Sequence, residues 1–341
     1  MRLACLAIGL SLLAQIGLTQ EIEVEAQKFY AGNSDRVVRV ISTADLDVFE
    51  PFLLAFQSAR PAISIDYIVT SSAELHRAMT QDHAFDLAIS SAMDLQFKLA
   101  NDGLALSYRS SATDALPAWA SWRNLIFAFT TEPAVVVINR EDFAEQSKPA
   151  TRQDLIALLR EDPARFQGRV GTYDVRESGL GYLFATQEAR ASDAYWRLTE
   201  VMGRLDPQLY CCSAQMIDDV ASGKLALAYN VLGSYAAQRI AQDERLEIIE
   251  LVDFTNVMLR TAIIPSSAQN IEEAGALLDA LLREGMRDEP NDWVLPPLND
   301  MRNPGPGTFG PIKLGPGLMV NLDQLNRSAF LNAWESGMEQ R

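Results

Sequence analysis

The sequence has 341 residues, of which 29 are basic (Lys and Arg) and 45 are acidic (Asp and Glu), so its formal net charge is −16. A chain of this length forms a full hydrophobic core and exceeds the usual size of one domain, so we expect two lobes. The excess of negative charge repels nucleic acids and anionic lipids, and neither is expected as a partner.

The first 20 residues have the pattern of a secretory signal peptide. One basic residue, Arg2, precedes an apolar run over residues 3–13, which is too short to span a membrane comfortably. We therefore expect residues 1–20 to be removed during export and the mature protein to reside in the periplasm. Residues 21–35 are polar and acidic, which favours a loose arm or an edge element.

Three successive segments then repeat a pattern of strand, polar turn and helix. The predicted strands are residues 37–41, 63–69 and 85–89. Successive βα units of this kind predict an α/β fold with a parallel sheet whose loops meet at one edge. A single Ser or Thr at a helix start is more often an N-cap than a ligand contact, but clusters after three equivalent strands favour ligand contact. The ligand-binding residues chosen here are Thr43, Ser72 and Ser91.

Two β-rich runs, residues 125–130 and 134–139, are separated by Thr131, Glu132 and Pro133. A proline interrupts the hydrogen-bond ladder of a sheet, which a strand that crosses between lobes would tolerate. We therefore predict the first crossing here and a second at residues 259–264.

The loop at residues 174–179 follows another predicted strand. Ser178 lies at a helix start, where backbone N–H groups are free, and the guanidinium of Arg176 suits a carboxylate or a phosphate. An ordinary helix cap with a surface arginine fits the same pattern. Both Arg176 and Ser178 are predicted to be ligand-binding.

Residues 206–235 form the segment on which the predicted site depends most. Cys211 and Cys212 precede Ser213 at the start of an amphipathic helix, and a strand at 225–229 leads to a second polar turn at Asn230. Loops at the carboxyl edge of an open α/β sheet bind ligands, so we interpret this segment as half of a binding cleft. Its predicted ligand-binding residues are Cys212, Ser213 and Asn230.

The adjacent cysteines have two interpretations. In an oxidising compartment Cys211 and Cys212 can form a disulfide that rigidifies the turn and gives it an apolar face. Two small buried thiols fit the sequence equally well. Further along, the stretch at 289–317 is rich in proline and glycine and is predicted to be loop, between helices at 271–283 and 327–338.

No motif of a known catalytic centre is present. The sequence lacks a G-x-S-x-G elbow, a Walker loop, a Rossmann fingerprint and an H-E-x-x-H pair. His76 and His83 are seven residues apart, which is not a recognised metal-ligand spacing and favours a solvated helix face. We therefore predict no enzyme activity and no cofactor.

Six segments together resemble a known family. In order, they read VVRVISTAD, DYIVTSSAELHRAM, DLAISSAMD, TTEPAVVVIN, GRVGTYDVRESGLGY and MIDDVASGKLALAYNVLGSY. Over about residues 37–282 this pattern resembles the type II periplasmic solute-binding proteins of ABC importers, in particular the cluster that binds ferric iron. The resemblance implies two α/β lobes, each a mixed, mostly parallel sheet flanked by helices, joined by two crossing strands and closing on a ligand.

The same resemblance implies a division of the chain and a set of partners. Residues 21–132 would form the first part of lobe 1, residues 133–256 lobe 2, and residues 257–341 the return to lobe 1 with the C-terminal helices. The protein would act as a monomer and would pass its small-molecule ligand to an inner-membrane ABC permease or present it to a sensor kinase.

The chain departs from the ferric-binding pattern at the expected metal site. Ferric-binding relatives carry two adjacent tyrosines after the strand that matches 225–229, whereas this chain has Val231, Leu232 and Gly233. Without phenolates a hard trivalent cation has poor ligands, and small polar groups, Arg176 and a helix N-terminus suit a small organic anion better, such as a carboxylate or a phosphate ester. Glu132, if it lay in the cleft, would instead favour an amine or a ligand with several hydroxyls.

Two alternative functions remain open at this point. The first is a metal-binding protein that uses Tyr210, Tyr229, Glu74 or the cysteine pair as ligands. The second is an exported enzyme that uses Cys211 or Cys212 as a thiolate.

Overall fold

The computed structural model describes residues 22–81, 83–145, 147–288, 293–299 and 311–340. The predicted signal peptide and most of the predicted proline- and glycine-rich loop lie outside the described residues. Within the described ranges, no helix is both long enough and apolar enough to cross a membrane.

The strands form one continuous mixed sheet, in which the order is β1-β3-β2-β4-β11-β6-β9-β7-β8, while β5 and β10 pair with β6. Their bounds are β1 (Ala26–Tyr30), β2 (Arg36–Ser42), β3 (Ile63–Val69), β4 (Leu87–Ser90), β5 (Ser121–Trp122), β6 (Ile126–Asn139), β7 (Val170–Tyr173), β8 (Gln208–Tyr210), β9 (Leu227–Leu232), β10 (Leu246–Ile249) and β11 (Val257–Ile263).

Helices flank this sheet. Their bounds are α1 (Leu46–Ala59), α2 (Ser72–Thr80), α3 (Met93–Asn101), α4 (Ser111–Asp114), α5 (Arg152–Glu161), α6 (Pro163–Phe166), α7 (Gly179–Ala191), α8 (Ala194–Gly203), α9 (Ser213–Ala221), α10 (Gly233–Ile240), α11 (Ile271–Gly285) and α12 (Gln324–Met338).

The first lobe contains the three predicted βα units. β2 pairs in parallel with both β3 and β4, as predicted, so the loops that follow these strands lie side by side at one edge. β1 pairs antiparallel with β3 at the end of the sheet, which confirms the edge element predicted for residues 21–35.

β6 is shared by both lobes. Its first half pairs with β11 up to Pro133, and its second half pairs with β9 from Ala134 onwards. The prediction of two separate runs was wrong, because the apolar residues on both sides of Pro133 form one uninterrupted strand. The proline lies where the strand changes partners, a place that tolerates a missing N–H.

The second lobe has β7 at its centre, paired in parallel with β8 and β9. The predicted polar turn at Asn230 was wrong, because β9 continues to Leu232. Asn230 has a φ of 64° and lies where the pairing of β9 with β6 shifts register. Since Asn tolerates this left-handed conformation, it forms a bulge in the strand instead of ending it.

The pairing partner of β6 changes again between β10 and β11. β10 pairs with the second half of β6, whereas β11 pairs with its first half and with β4. The backbone N–H of Ala134 in β6 donates to the carbonyl of Asn256 at 2.8 Å. This hydrogen bond joins the residue before β11 to β6. The second crossing predicted at 259–264 overlaps β11 and stays a prediction.

A buried ion pair joins the two strands at this junction. Arg260 on β11 donates from Nε and Nη2 to the carboxylate of Glu132 on β6 at 2.8 and 3.2 Å, and both side chains are fully buried. Thr130 and Ser234 donate hydroxyl hydrogen bonds to the same carboxylate at 2.9 and 2.5 Å. Glu132 is thus satisfied inside the protein, and the sequence-based option of a cleft-facing Glu132 was wrong.

The C-terminal segment contacts both lobes. Its 3-10 helix, Pro316–Leu322, packs against α3 of the first lobe, while α12 packs against α8 of the second. Trp334 and Met338 of α12 are buried in the apolar cluster of the second lobe. The assignment of residues 257–341 to the first lobe and the C-terminal helices stays a prediction. The last helix of that range, α12, packs on the second lobe.

The junction ion pair leads to a stability prediction. Arg260→Met leaves the Glu132 carboxylate buried without its counter-ion, and we expect a loss of about 3–5 kcal/mol in the free energy of unfolding, measured by urea titration. Adding Glu132→Gln should restore most of that loss. Arg283→Met removes an exposed pair with Asp279 and should cost about 0.5 kcal/mol or less. Equal losses in Arg260→Met and Arg283→Met would contradict this account of the junction.

Candidate ligand-binding cleft

A cleft lies where the loops of the two lobes face each other, and the space inside it is about 60 Å³. Its wall is dominated by hydroxyl groups, with a few apolar side chains and no basic side chain among the described residues that line it. The hydroxyl-bearing residues of the wall are Thr43, Thr70, Ser71, Ser72, Ser91, Tyr173, Ser178, Ser213 and Tyr235.

The first lobe contributes the turns after β2, β3 and β4. Thr43 Oγ1 lies 3.3 Å from Ser91 Oγ and accepts a hydrogen bond from the Ser91 backbone N–H at 3.1 Å. Ser72 begins α2, next to the N-cap Ser71, which accepts from the Glu74 N–H. Three of the predicted ligand-binding residues therefore lie on one wall.

The second lobe contributes the turns before α7 and α9. Ser178 is the N-cap of α7 and accepts from the Gly181 N–H at 3.1 Å. Ser213 Oγ accepts from the Leu232 N–H at 3.1 Å and lies 2.5 Å from the Tyr173 hydroxyl oxygen. Ser178, Cys212 and Ser213 thus lie on the opposite wall from Thr43, Ser72 and Ser91.

Cys211 and Cys212 are joined by a disulfide bond, so the structure contains the first of the two predicted alternatives. Both residues line the cleft, between the end of β8 and the start of α9. As bonded cysteines they offer no thiolate, and the alternative of an exported enzyme therefore lacks its predicted nucleophile.

Two hydrogen bonds cross the cleft and hold the lobes together. The Gly179 N–H donates to Ser72 Oγ at 3.1 Å, and the Asp45 N–H donates to the Tyr235 hydroxyl oxygen at 3.2 Å. A Cβ at position 179 would lie only 2.6 Å from Ser72 Oγ, so this close approach depends on glycine. The described structure is a closed form.

Three carboxylates, those of Glu25, Asp45 and Glu177, also line the cleft. Burial, and then the nearby Asp47 carboxylate, raise the pKa of Asp45 to about 6, although Arg260 opposes this shift. Burial and Glu23 raise the pKa of Glu25. The positive ends of α2, α7 and α9 also lie at the cleft and act in the opposite direction, because they favour negative charge. The three carboxylates themselves disfavour added negative charge nearby and favour hydrogen-bond donors.

Two predicted ligand-binding residues lie outside the cleft wall. The Arg176 guanidinium donates to Asp174 at 2.8 and 2.6 Å and to Glu339, the residue after α12, at 2.6 Å, so it attaches the end of the last helix to the second lobe. Asn230 is buried in the bulge of β9 and does not line the cleft. Arg176 and Asn230 therefore lie apart from the six predicted ligand-binding residues that line the cleft.

The residues named for a metal site are separate and already bonded. Tyr229 is buried between Arg152 and Glu188, the Tyr210 hydroxyl donates to Asp219, and the Glu74 carboxylate pairs with Arg77. No group of three or more His, Cys, Asp or Glu side chains suited to a metal ion occurs in the described part of the chain.

Sequence reasoning missed several residues of the cleft. Asp45 and Glu25 lie in segments that were interpreted only as a turn and a polar arm, and Tyr173 and Tyr235 were assigned to a strand and a helix. Asp45 directly follows the Thr43 turn and precedes a helix, a local signal that could have identified it. Nothing local distinguishes Tyr235, because its bond to Asp45 spans 190 residues.

Residues 42–288 match the family model described as bacterial extracellular solute-binding protein. This match covers most of the chain. The chain belongs to this family. No curated protein sequence matches the chain.

Solved structures of solute-binding proteins share the two-lobe fold. The substrate-binding protein of an ABC transporter from Agrobacterium tumefaciens is 30% identical, with a TM-score of 0.86 over 94% of this chain and 100% of that chain. AfuA from Actinobacillus pleuropneumoniae, with fructose 6-phosphate bound, is 18% identical, with a TM-score of 0.71 over 91% and 100%. The apo ferric ion-binding protein A of Pasteurella haemolytica is 16% identical, with a TM-score of 0.66 over 90% and 99%.

The close approach at Gly179 predicts how this solute-binding protein closes. Gly179→Ala places a methyl group against Ser72 Oγ in the closed form alone, at a cost of about 1–3 kcal/mol, and should lower the closed population roughly tenfold. Small-angle X-ray scattering should then give a larger radius of gyration than in the wild type. Ser72→Ala in the same chain should partly reverse the change.

Gly317→Ala is the matched control, because no atom lies within 4 Å of a Cβ at that position. An unchanged radius of gyration in Gly179→Ala, or an equal change in Gly317→Ala, would show that the contact does not limit closure.

The raised pKa of Asp45 predicts a pH-dependent stability. The folded protein holds the Asp45 proton up to about pH 6, whereas the unfolded chain loses it near pH 4, so this group costs stability as pH rises between these values. Asp45→Asn removes that cost and should stabilise the protein by about 1–2 kcal/mol at pH 7.5 but not at pH 4. Melting temperatures at the two pH values measure this, and an equal effect at both would refute the assignment.

Proposed function

We propose that this protein is a periplasmic solute-binding protein that captures one small solute between its lobes and delivers it to an inner-membrane ABC permease or a sensor kinase. The observation that carries the proposal is the cleft itself, in which six of the eight residues chosen from sequence face one another across the two lobes. Membership of the extracellular solute-binding family and the signal-peptide pattern support export to the periplasm.

The size of the cleft supports a small solute. The space inside the cleft in this closed form is about 60 Å³, which is room for a few water molecules, so only a small solute fits between the lobes. Both cross-lobe hydrogen bonds lie at its edge, so closure surrounds the solute with polar groups from both lobes. Such closure is the hinge motion by which two-lobe binding proteins retain ligands.

The wall chemistry favours a solute that presents several hydrogen-bond donors. Glu25, Asp45 and Glu177 accept hydrogen bonds, and the serine and threonine hydroxyls both donate and accept. The organic anion expected from sequence depended on small polar groups, a helix N-terminus and Arg176, and of these Arg176 is bonded to Asp174 and Glu339 instead of facing the cleft. A hydroxyl-rich or amine-bearing solute, the other option considered from sequence, is better matched by these three carboxylates.

A thermal-shift screen tests this function. The panel contains neutral sugars, polyols, amines, sugar phosphates and organic acids, each added at high concentration. We expect at least one sugar, polyol or amine to raise the melting temperature, because a solute at 100 times its Kd stabilises the folded state by about 2.7 kcal/mol. A shift only with anions would overturn the donor-rich specificity while keeping the binding function. No shift with any compound would contradict the binding function.

A further inference from the structure

The apolar residues that line the cleft differ in how far they are exposed. Its leucine side chains, Leu180 and Leu232, are only 7% and 4% exposed. In contrast, Cys211 is exposed and Cys212 is half-buried, and both line the cleft. The disulfide is therefore the apolar group that a solute in the cleft can contact most.

Hydroxyl and carboxylate groups surround this apolar surface. Thr43 and Ser91 lie on the opposite wall, and Ser178 and Ser213 lie on the same lobe as the disulfide. A carbohydrate has the matching distribution of chemistry, since its C–H face is apolar and its edge carries hydroxyl donors and acceptors. Small-molecule sites generally combine an apolar contact surface with a few placed polar groups in this manner.

The disulfide also fixes the backbone that carries Ser213. Cys212 is the N-cap of α9 in an extended conformation, and no side chain caps this helix. The next residue, Ser213, bonds to Tyr173 and to the Leu232 N–H, so the position of the cysteine pair sets the position of this hydroxyl. Breaking the S–S bond leaves two thiols that rotate independently at the start of the helix.

We propose that the Cys211–Cys212 disulfide is the surface on which the carbon face of the solute packs, that the solute is a neutral sugar or polyol, and that reduction of the disulfide weakens its binding. This inference rests on the proposed binding function of the cleft. It assigns to the cysteine pair a role in specificity and makes the cleft sensitive to thiol redox state.

The reduction step is defined by its reagents. Tris(2-carboxyethyl)phosphine attacks one sulfur and breaks the S–S bond. Water then supplies the oxygen of the phosphine oxide and the protons of the two thiols. The phosphine is oxidised by two electrons and the disulfide is reduced by two electrons. Mass spectrometry of the intact protein reports the two added hydrogens.

Isothermal titration calorimetry tests the proposal with D-glucose, D-galactose, D-xylose, L-arabinose and myo-inositol, and with D-glucosamine and fructose 6-phosphate as charged comparisons. We expect a neutral compound to bind the oxidised protein and to bind at least tenfold more weakly after reduction. Affinities that agree within twofold in both redox states, or binding of the charged compounds alone, would overturn the proposal and leave the binding function intact. Absence of binding by every compound, together with a silent thermal-shift screen, would overturn both.

Two double variants test whether the apolar contact of the disulfide, and not another effect of reduction, strengthens binding of the solute. Cys211→Ser with Cys212→Ser should reproduce the weak binding of the reduced protein and should not respond to the phosphine, which excludes an effect of the reagent elsewhere. Cys211→Ala with Cys212→Ala keeps apolar surface without the ring, and we expect it to bind between the serine pair and the oxidised wild type. Equal affinity of the serine pair and the oxidised wild type, with unchanged circular dichroism, would refute a contact role for the disulfide.

Discussion

The buried ion pair between Glu132 and Arg260 is the interaction on which the arrangement of the two lobes depends. It joins β6 and β11 close to the point where β6 changes its partner from β11 to β9. The Ser234 hydroxyl adds the start of α10 to the same carboxylate. Because α10 also carries Tyr235, which accepts the Asp45 N–H across the cleft, the junction and the closing contacts are connected through one short helix.

The cleft follows from this junction and from the direction of the strands. Parallel pairing of β2 with β3 and β4, and of β7 with β8 and β9, places the turns after these strands at one edge of each lobe. Small hydroxyl residues fill these turns because they also begin the helices that follow. The same side chains therefore cap helices and form a polar wall, and no separate recognition loop is needed to make the site.

The sequence allowed prediction of the elements that depend on local pattern. The strand–turn–helix units were predicted, and six of the eight residues chosen for ligand binding line the cleft, because hydroxyl clusters after apolar strands are a local signal. Their contact with a ligand stays a prediction. Features set by distant contacts were not predictable. Arg176 is directed away from the cleft by Glu339, 163 positions along the chain, and Tyr235 reaches the cleft through Asp45. The prediction of a turn at Asn230 was wrong because asparagine suits both a turn and a strand bulge. Only the pairing of β9 with β6 distinguishes the two.

The central claim is that one small solute is held between the lobes by groups from both. A crystal structure of the protein grown with a compound that raises its melting temperature tests this claim most directly. The account predicts that the compound contacts Ser91 or Thr43 on one lobe and Ser213 or the disulfide on the other, with the Gly179 to Ser72 hydrogen bond in place. A compound bound to one lobe alone, or outside the cleft, would contradict it.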